Sequence, residues 1–208
     1  RGGTGALVAA MGRLMDEVGI NVILNQDVQR ICTERRQVTG VQLASGDTLA
    51  ADLVICNGDP AQIYRSLVPQ SERKRWTDRR IDALKYSMGL YVLYFGTRCQ
   101  YEEVEHHTIV FGEQYQELLQ RIFAGEPAGN DLSLYLHRPT ATDPALAPAG
   151  KDTFYVLAPV PNLQRHDWLA VRDQVRERVI DILEERVLPN LRQHMDVCFD
   201  LDPNQFDA

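Results

Sequence analysis

No run of apolar residues approaches the ~20 that a bilayer-spanning helix requires, and nothing resembles a signal peptide. There is no basic excess: 22 Lys and Arg stand against 29 Asp and Glu, for a net charge of −7. Nucleic-acid binders need a basic surface to meet phosphate, so that class is excluded. Cysteine is sparse, and Cys32, Cys56, Cys99 and Cys198 lie far apart with no C-x-x-C pair. That removes the usual zinc and redox spacings and predicts a reduced intracellular protein with buried thiols. No G-x-G-x-x-G, Walker loop or G-x-S-x-G occurs, so local motifs assign no catalytic residue. No metal is expected either: His106 and His107, adjacent on a strand, should face opposite ways, and no third ligand stands at ligand spacing. His106 and His107 are therefore read as turn or packing residues.

What is present is an ordinary globular composition, 44% hydrophobic over 208 residues. The chain opens on Arg1-Gly-Gly-Thr-Gly5 without a methionine and stops at Ala208 without a closing element, so a segment of a longer protein is expected. Leu7, Met11, Leu14, Met15 and Val18 trace one face of an amphipathic helix. Gly2 and Gly3 before it either offer backbone N–H groups to an anion or cofactor edge, or simply permit a tight entry turn. Asn21–Leu24, Val28–Ile31, Val38–Leu43 and Asp47–Ala50 read as strands, the last two joined by the turn signal Ser45-Gly46. Leu53-Val-Ile-Cys56 is continuously apolar, as a strand buried on both faces would be, and it runs into Asn57-Gly58.

From Ala61 to Arg80 the chain reads as a charged helix with basic residues around Trp76, either a solvated surface or a patch resting on anionic lipid. Further strands are predicted at Met88–Phe95, His107–Phe111, Leu132–Leu136 and Phe154–Ala158. Helices are predicted at Glu113–Phe123 and along Val171, Val175, Val179, Ile182 and Leu183, the second ended by Pro189. The fold class is mixed: part of a Rossmann-like α/β domain over residues 1–60, then a mainly antiparallel sheet with helices, an α+β layer, over 61–208.

Gly89-Leu-Tyr-Val-Leu-Tyr-Phe-Gly96 is apolar on both sides. Alternation sends Leu90, Val92 and Tyr94 one way and Tyr91, Leu93 and Phe95 the other. Tyr155 and Leu157 oppose Phe154, Val156 and Ala158 in the same manner. One face must pack on helices, and the other needs a second layer or an apolar ligand. Leu90, Val92, Tyr94, Tyr135, Tyr155 and Leu157 are the candidate lining residues, with His137 at the end of its strand as polar furniture of a cavity mouth or as packing.

Several blocks carry a resemblance. Gly2-Gly-Thr-Gly-Ala-Leu7, Val28-Gln-Arg-Ile31, Val41-Gln-Leu-Ala-Ser-Gly46 and Ala51-Asp-Leu-Val-Ile-Cys-Asn57 resemble, in order, the central part of amine-oxidase-like flavoproteins. Leu90–Gly96, His106–Gly112, Leu132–His137, Thr142–Pro148 and Phe154–Pro161 are similar to the bacterial phytoene desaturases. The resemblance implies an FAD-dependent dehydrogenation that introduces double bonds into a C40 carotenoid precursor such as phytoene. It also implies a cytoplasmic enzyme held peripherally at a membrane surface. Val28 matches the family position whose backbone pairs with adenine, Asn57 a position near the cofactor, and Gly2 and Gly3 the glycines beside the flavin–substrate region. The family's glycine fingerprint and its flavin-ring segment lie outside the region seen here, so the FAD site is expected to be incomplete and the fragment inactive alone. A related carotenoid desaturase or isomerase, or a non-catalytic apolar-ligand carrier, would use the same slot.

Overall fold

The computed structural model describes residues 3–127, 129–164 and 168–206. They fall into two compact units that divide between Lys85 and Tyr86. The segment 61–85, expected with the second unit, lies in the first, where the Ile31 amide donates to the Leu67 carbonyl at 2.8 Å.

The first unit opens with helix α1 (Gly3–Glu17) and continues into a three-stranded antiparallel sheet: β1 (Val28–Glu34), β2 (Gln37–Leu43) and β3 (Thr48–Ala50). The β2–β3 turn is the expected one, with Gly46 at φ 91°. The β1–β2 turn carries no glycine at all: Arg35 and Arg36 both take left-handed angles, 49° and 67°. Gly40 is required by close approach, because a Cβ there would lie 2.2 Å from the Leu49 carbonyl oxygen. Helix α2 (Pro60–Ser66) begins as its sequence dictates, with Pro60 in its first turn and the Asp59 carboxylate accepting from the Gln62 amide at 3.0 Å. Helix α3 (Asp78–Asp82) is capped by Thr77.

Three expectations are corrected. Residues 61–80 do not form one helix, since Pro69 lacks the amide a continuing helix needs and a short turn follows it. Asn21–Leu24 and Leu53–Cys56 are not strands. A strand exists through its hydrogen-bonded neighbours, and among the described residues none pairs with either segment. Leu53 and Ile55 are accordingly 74% and 87% exposed rather than buried. The thiols are not buried: Cys56 and Cys198 are exposed, and Cys32 and Cys99 are half-buried.

The second unit is built on a five-stranded antiparallel sheet. Along the chain come β4 (Gly89–Thr97), β5 (His107–Val110), α4 (Tyr115–Ala124), β6 (Leu134–His137), β7 (Asp152–Val160), α5 (Trp168–Arg186), α6 (Leu191–His194), β8 (Met195–Leu201) and α7 (Pro203–Phe206). The spatial order is β5-β6-β7-β4-β8. Tyr91, Leu93, Phe95, Leu134, Leu136, Phe154, Val156 and Ala158 fill one face. They pack with Leu118 and Ile122 of α4 and with Val179, Ile182 and Leu183 of α5. Each such side chain contributes about 1.5–3 kcal/mol by leaving water.

Two buried carboxylates tie the ends of this sheet. Asp152 accepts from Arg138 Nε at 2.9 Å, Thr140 Oγ1 at 2.6 Å and the Tyr101 amide at 2.8 Å, which pins the proline-punctuated connection between β6 and β7. Asp200 on β8 accepts from the Tyr91 hydroxyl at 2.5 Å and from Arg176 at 2.7 and 2.9 Å, and Arg172 closes the set. Strand β8 was not expected, and it sits at the edge of the sheet against β4.

Candidate functional site

The second face of the sheet is the candidate site. Antiparallel pairing sets Leu90 opposite Pro159, Val92 opposite Leu157, and Tyr94 between Tyr155 and Phe199. On the other side of β7, Leu157 faces Tyr135 and Tyr155 faces His137. His137 in turn faces His107, and Tyr135 faces Ile109. Directly opposed residues share a face, so the seven predicted lining residues, read from segments up to 67 positions apart, stand on one surface.

That surface is aromatic. The Tyr94 ring stacks on Phe199 with centroids 4.8 Å apart and lies 6.0 Å from Tyr155, which is 6.0 Å from Tyr135 and 4.5 Å from His137. Tyr94, Tyr135, His137, Tyr155 and Leu157 are half-buried, and Leu90, Ile109, Val197 and Phe199 are exposed. Val92 departs from its expected role, being 3% exposed beneath its neighbours. An outward sheet face in an antiparallel protein ordinarily alternates to polar residues. This one carries no carboxylate, lysine or arginine among the described strand residues. Burial, with the Tyr135 hydroxyl beside it, pushes the Tyr155 phenol up, so it stays protonated in neutral solution.

Near one end of the face, Leu90 also borders a cleft of about 460 Å³ lined by Met88, Leu163, Pro203 and Phe206. A larger open concavity, about 940 Å³, runs along the polar side of α4 beside Glu113, Glu117 and Arg121, and its charged lining suits no hydrocarbon.

The other end of the face holds the arrangement that sequence reasoning missed. His106, His107 and His137 meet, with centroids 4.4 Å apart for His106–His107, 4.6 Å for His106–His137 and 5.2 Å for His107–His137. The expectation that His106 and His107 diverge fails because His106 precedes β5 and is free of strand alternation, and the third histidine arrives on the neighbouring strand. Burial first, then the charges of His106 and His107, lower the His137 pKa below the ordinary imidazole value, leaving it neutral at pH 7.

The candidate cofactor residues lie in the first unit. Gly3 opens α1, Val28 begins β1 and Asn57 follows the apolar segment 53–56, all three exposed. Gly2 lies outside the described residues. At Gly3, with φ 61°, a Cβ would meet open space, as it would at Gly5 and Gly12 of the same helix.

Residues 1–205 match the family described as flavin containing amine oxidoreductase. Among curated relatives, the phytoene desaturase (lycopene-forming) of a Paracoccus species is 43% identical across 99% of this chain and 42% of its own length. The phytoene desaturase (neurosporene-forming) of Cereibacter sphaeroides is 40% identical across 99% of this chain and 40% of its own. The chain thus spans about two fifths of the relatives it matches. A solved oxidoreductase from Methanosarcina mazei shares the fold at a TM-score of 0.67 and 16% identity, over 97% of this chain and 43% of that one. A Pyrococcus furiosus protein does so at 0.64 and 17%, over the same shares. The family match runs over nearly the whole chain and the fold is shared, and the chain belongs to the flavin containing amine oxidoreductase family.

Proposed function

We propose that this chain is the part of an FAD-dependent phytoene desaturase that receives the carotenoid. The first unit contributes to the cofactor domain and the second holds the substrate. One observation carries the reading: a half-open sheet face of aromatic and aliphatic side chains without carboxylate, lysine or arginine, running across five strands. A polyene precursor offers no polar handle, so a protein can recognise it only through shape, dispersion and exclusion of water. Rings of Tyr94, Tyr135, Tyr155 and Phe199 provide flat contact, and Leu90 and Leu157 fill between them. FAD, when bound, supplies the hydride acceptor. Gly2, Gly3, Val28 and Asn57 would help to hold it, and the chain's own work is to position the C–C unit and keep water away.

The reading is tested by placing the full-length protein in cells that accumulate phytoene. New conjugated, coloured products with flavin retained through purification are expected. Retained flavin with turnover of another carotenoid only would assign the related-substrate reading, and an unaltered phytoene pool with bound carotenoid but no flavin would assign the carrier.

The protein is also proposed to act in the cytoplasm at a membrane surface, where such a substrate dissolves. The basic segment supports this in altered form. Arg73 turns inward onto Asp78 at 2.6 Å, and Trp76 stacks on Tyr64 at 5.4 Å, so neither is free to meet lipid headgroups. Lys74, Arg75 and Arg79 remain exposed. Replacing these three with glutamine is expected to weaken binding to phosphatidylserine vesicles on the order of 100-fold at low salt, at about 1 kcal/mol per basic residue. Unchanged co-sedimentation would remove this face as the contact.

A further inference from the structure

We propose that His106, His107 and His137 form a site for one divalent late transition metal ion, of the zinc, cobalt and nickel class, with its fourth coordination position open to solvent. The three residues each offer a ring nitrogen, and these atoms all lie within 4.8 Å of one another. Imidazole nitrogens suit that group of metals, and three protein ligands with one free position is the pattern of an open site.

The surroundings are those of metal-ligating histidines. Such residues commonly tie their second ring nitrogen to an oxygen, which fixes tautomer and ring orientation. His107 Nδ1 is hydrogen-bonded to the Tyr135 hydroxyl at 2.6 Å, and His106 Nδ1 to Thr142 Oγ1. Both rings therefore keep Nε2 for another partner. His106 Nε2 and His137 Nε2 are hydrogen-bonded to each other at 2.7 Å, one ring donating and the other accepting, so an ion would take the place of the proton they share. His137 differs from the other two: its Nδ1 is buried with no hydrogen-bond partner, so packing alone orients that ring. Around a tetrahedral ion the nitrogens would stand about 3.3 Å apart, given metal–nitrogen bonds of ~2.0–2.1 Å. A small separation of His106 from His137 together with an inward turn of the exposed His107 ring would bring the three to that spacing.

The inference stands apart from the desaturase reading, and its test reads metal content rather than turnover. The full-length protein is stripped with chelator and titrated with Zn²⁺ by calorimetry and with Co²⁺ by visible absorption. One ion per chain is expected, with the cobalt spectrum of a four- or five-coordinate nitrogen site. His107→Ala, at an exposed position, should weaken Zn²⁺ binding by at least about 100-fold, and Tyr135→Phe by about 10–100-fold through loss of its orienting bond. His106→Gln with His137→Gln should abolish uptake, and the cobalt spectrum of the unsubstituted protein decides the matter should that double variant fail to fold. No stoichiometric uptake, uptake indifferent to His107→Ala, or a thiolate charge-transfer band pointing to cysteine would each overturn the proposal.

Discussion

Replacing Asp200 with alanine is expected to destabilise the second unit by about 3 kcal/mol, read as a lower urea midpoint at unchanged slope. The Asp200 side chain is 1% exposed and gathers Tyr91, Arg172 and Arg176 around one carboxylate. Removing it leaves the Tyr91 hydroxyl proton, on a residue with no exposed surface, without an acceptor, which alone costs about 1–3 kcal/mol, although Arg176 stays beside its oxygen. The two arginines are about one third exposed and can rehydrate, which keeps the total near the lower end of the range for broken buried pairs. Asn should lose less than Ala, because its carbonyl still accepts from Tyr91.

The pH dependence follows with a definite sign. Burial raises the Asp200 pKa, but the hydrogen bonds from Arg176, Arg172 and Tyr91 outweigh it and hold the carboxyl well below the usual carboxylate range. A depressed folded-state value means the stabilisation is complete above the unfolded pKa of ~3.9 and is lost as pH falls toward the folded one. The gap between the parent protein and Asp200→Asn should therefore be flat from neutral pH down to about 5 and narrow below about 4. Tyr91 sets the alkaline side. Burial and the Asp200 carboxylate push its pKa far up, so its contribution is full below ~10 and declines as pH rises beyond it.

Leu157→Asp should reduce turnover by the full-length protein at least about 100-fold while the protein still folds, since an unpaired charge under a bound hydrocarbon costs about 3 kcal/mol or more. Leu157 lies between Val92 and Tyr135 on the half-open face and is itself half-buried, so in the free protein the carboxylate can stay hydrated. Leu136→Asp is the contrast. Leu136 has no exposed surface and packs in the core, so it should fail to fold at all. Leu157→Met, similar in volume and apolar, should retain most of the activity. Parent-like turnover by the Asp variant, with normal folding, would mean that this surface does not touch substrate.

Much of this was legible in the residues. The two-sided apolar character of β4 and β7 located the sheet centre, and simple alternation sorted Leu90 and Tyr94 from Tyr91 and Leu93 correctly. What failed did so for reasons of partnership. Leu53–Cys56 has the composition of a buried strand, yet composition cannot supply the neighbour that makes one. Strand β8 hid because Met195-Asp-Val-Cys-Phe-Asp-Leu201 mixes two aspartates into its alternation, and one of them, Asp200, is an inward anchor rather than a solvent marker. The β1–β2 hairpin hid because two arginines occupy left-handed positions where Asn or Gly would have signalled a turn. The histidine cluster needed the β5–β6 register, since His137 is 30 residues from His107 and meets it only by cross-strand pairing.

The sheet order imposes a schedule on synthesis. Strand β4 sits between β7 and β8, yet its last partner leaves the ribosome about 100 residues after it, a delay of about 5–20 s at ~5–20 residues per second. Throughout that interval the nascent polypeptide displays a segment oily on both sides and unable to complete its ladder. Such a chain invites chaperone capture, and slow codons between β4 and β8 would lengthen its most aggregation-prone period.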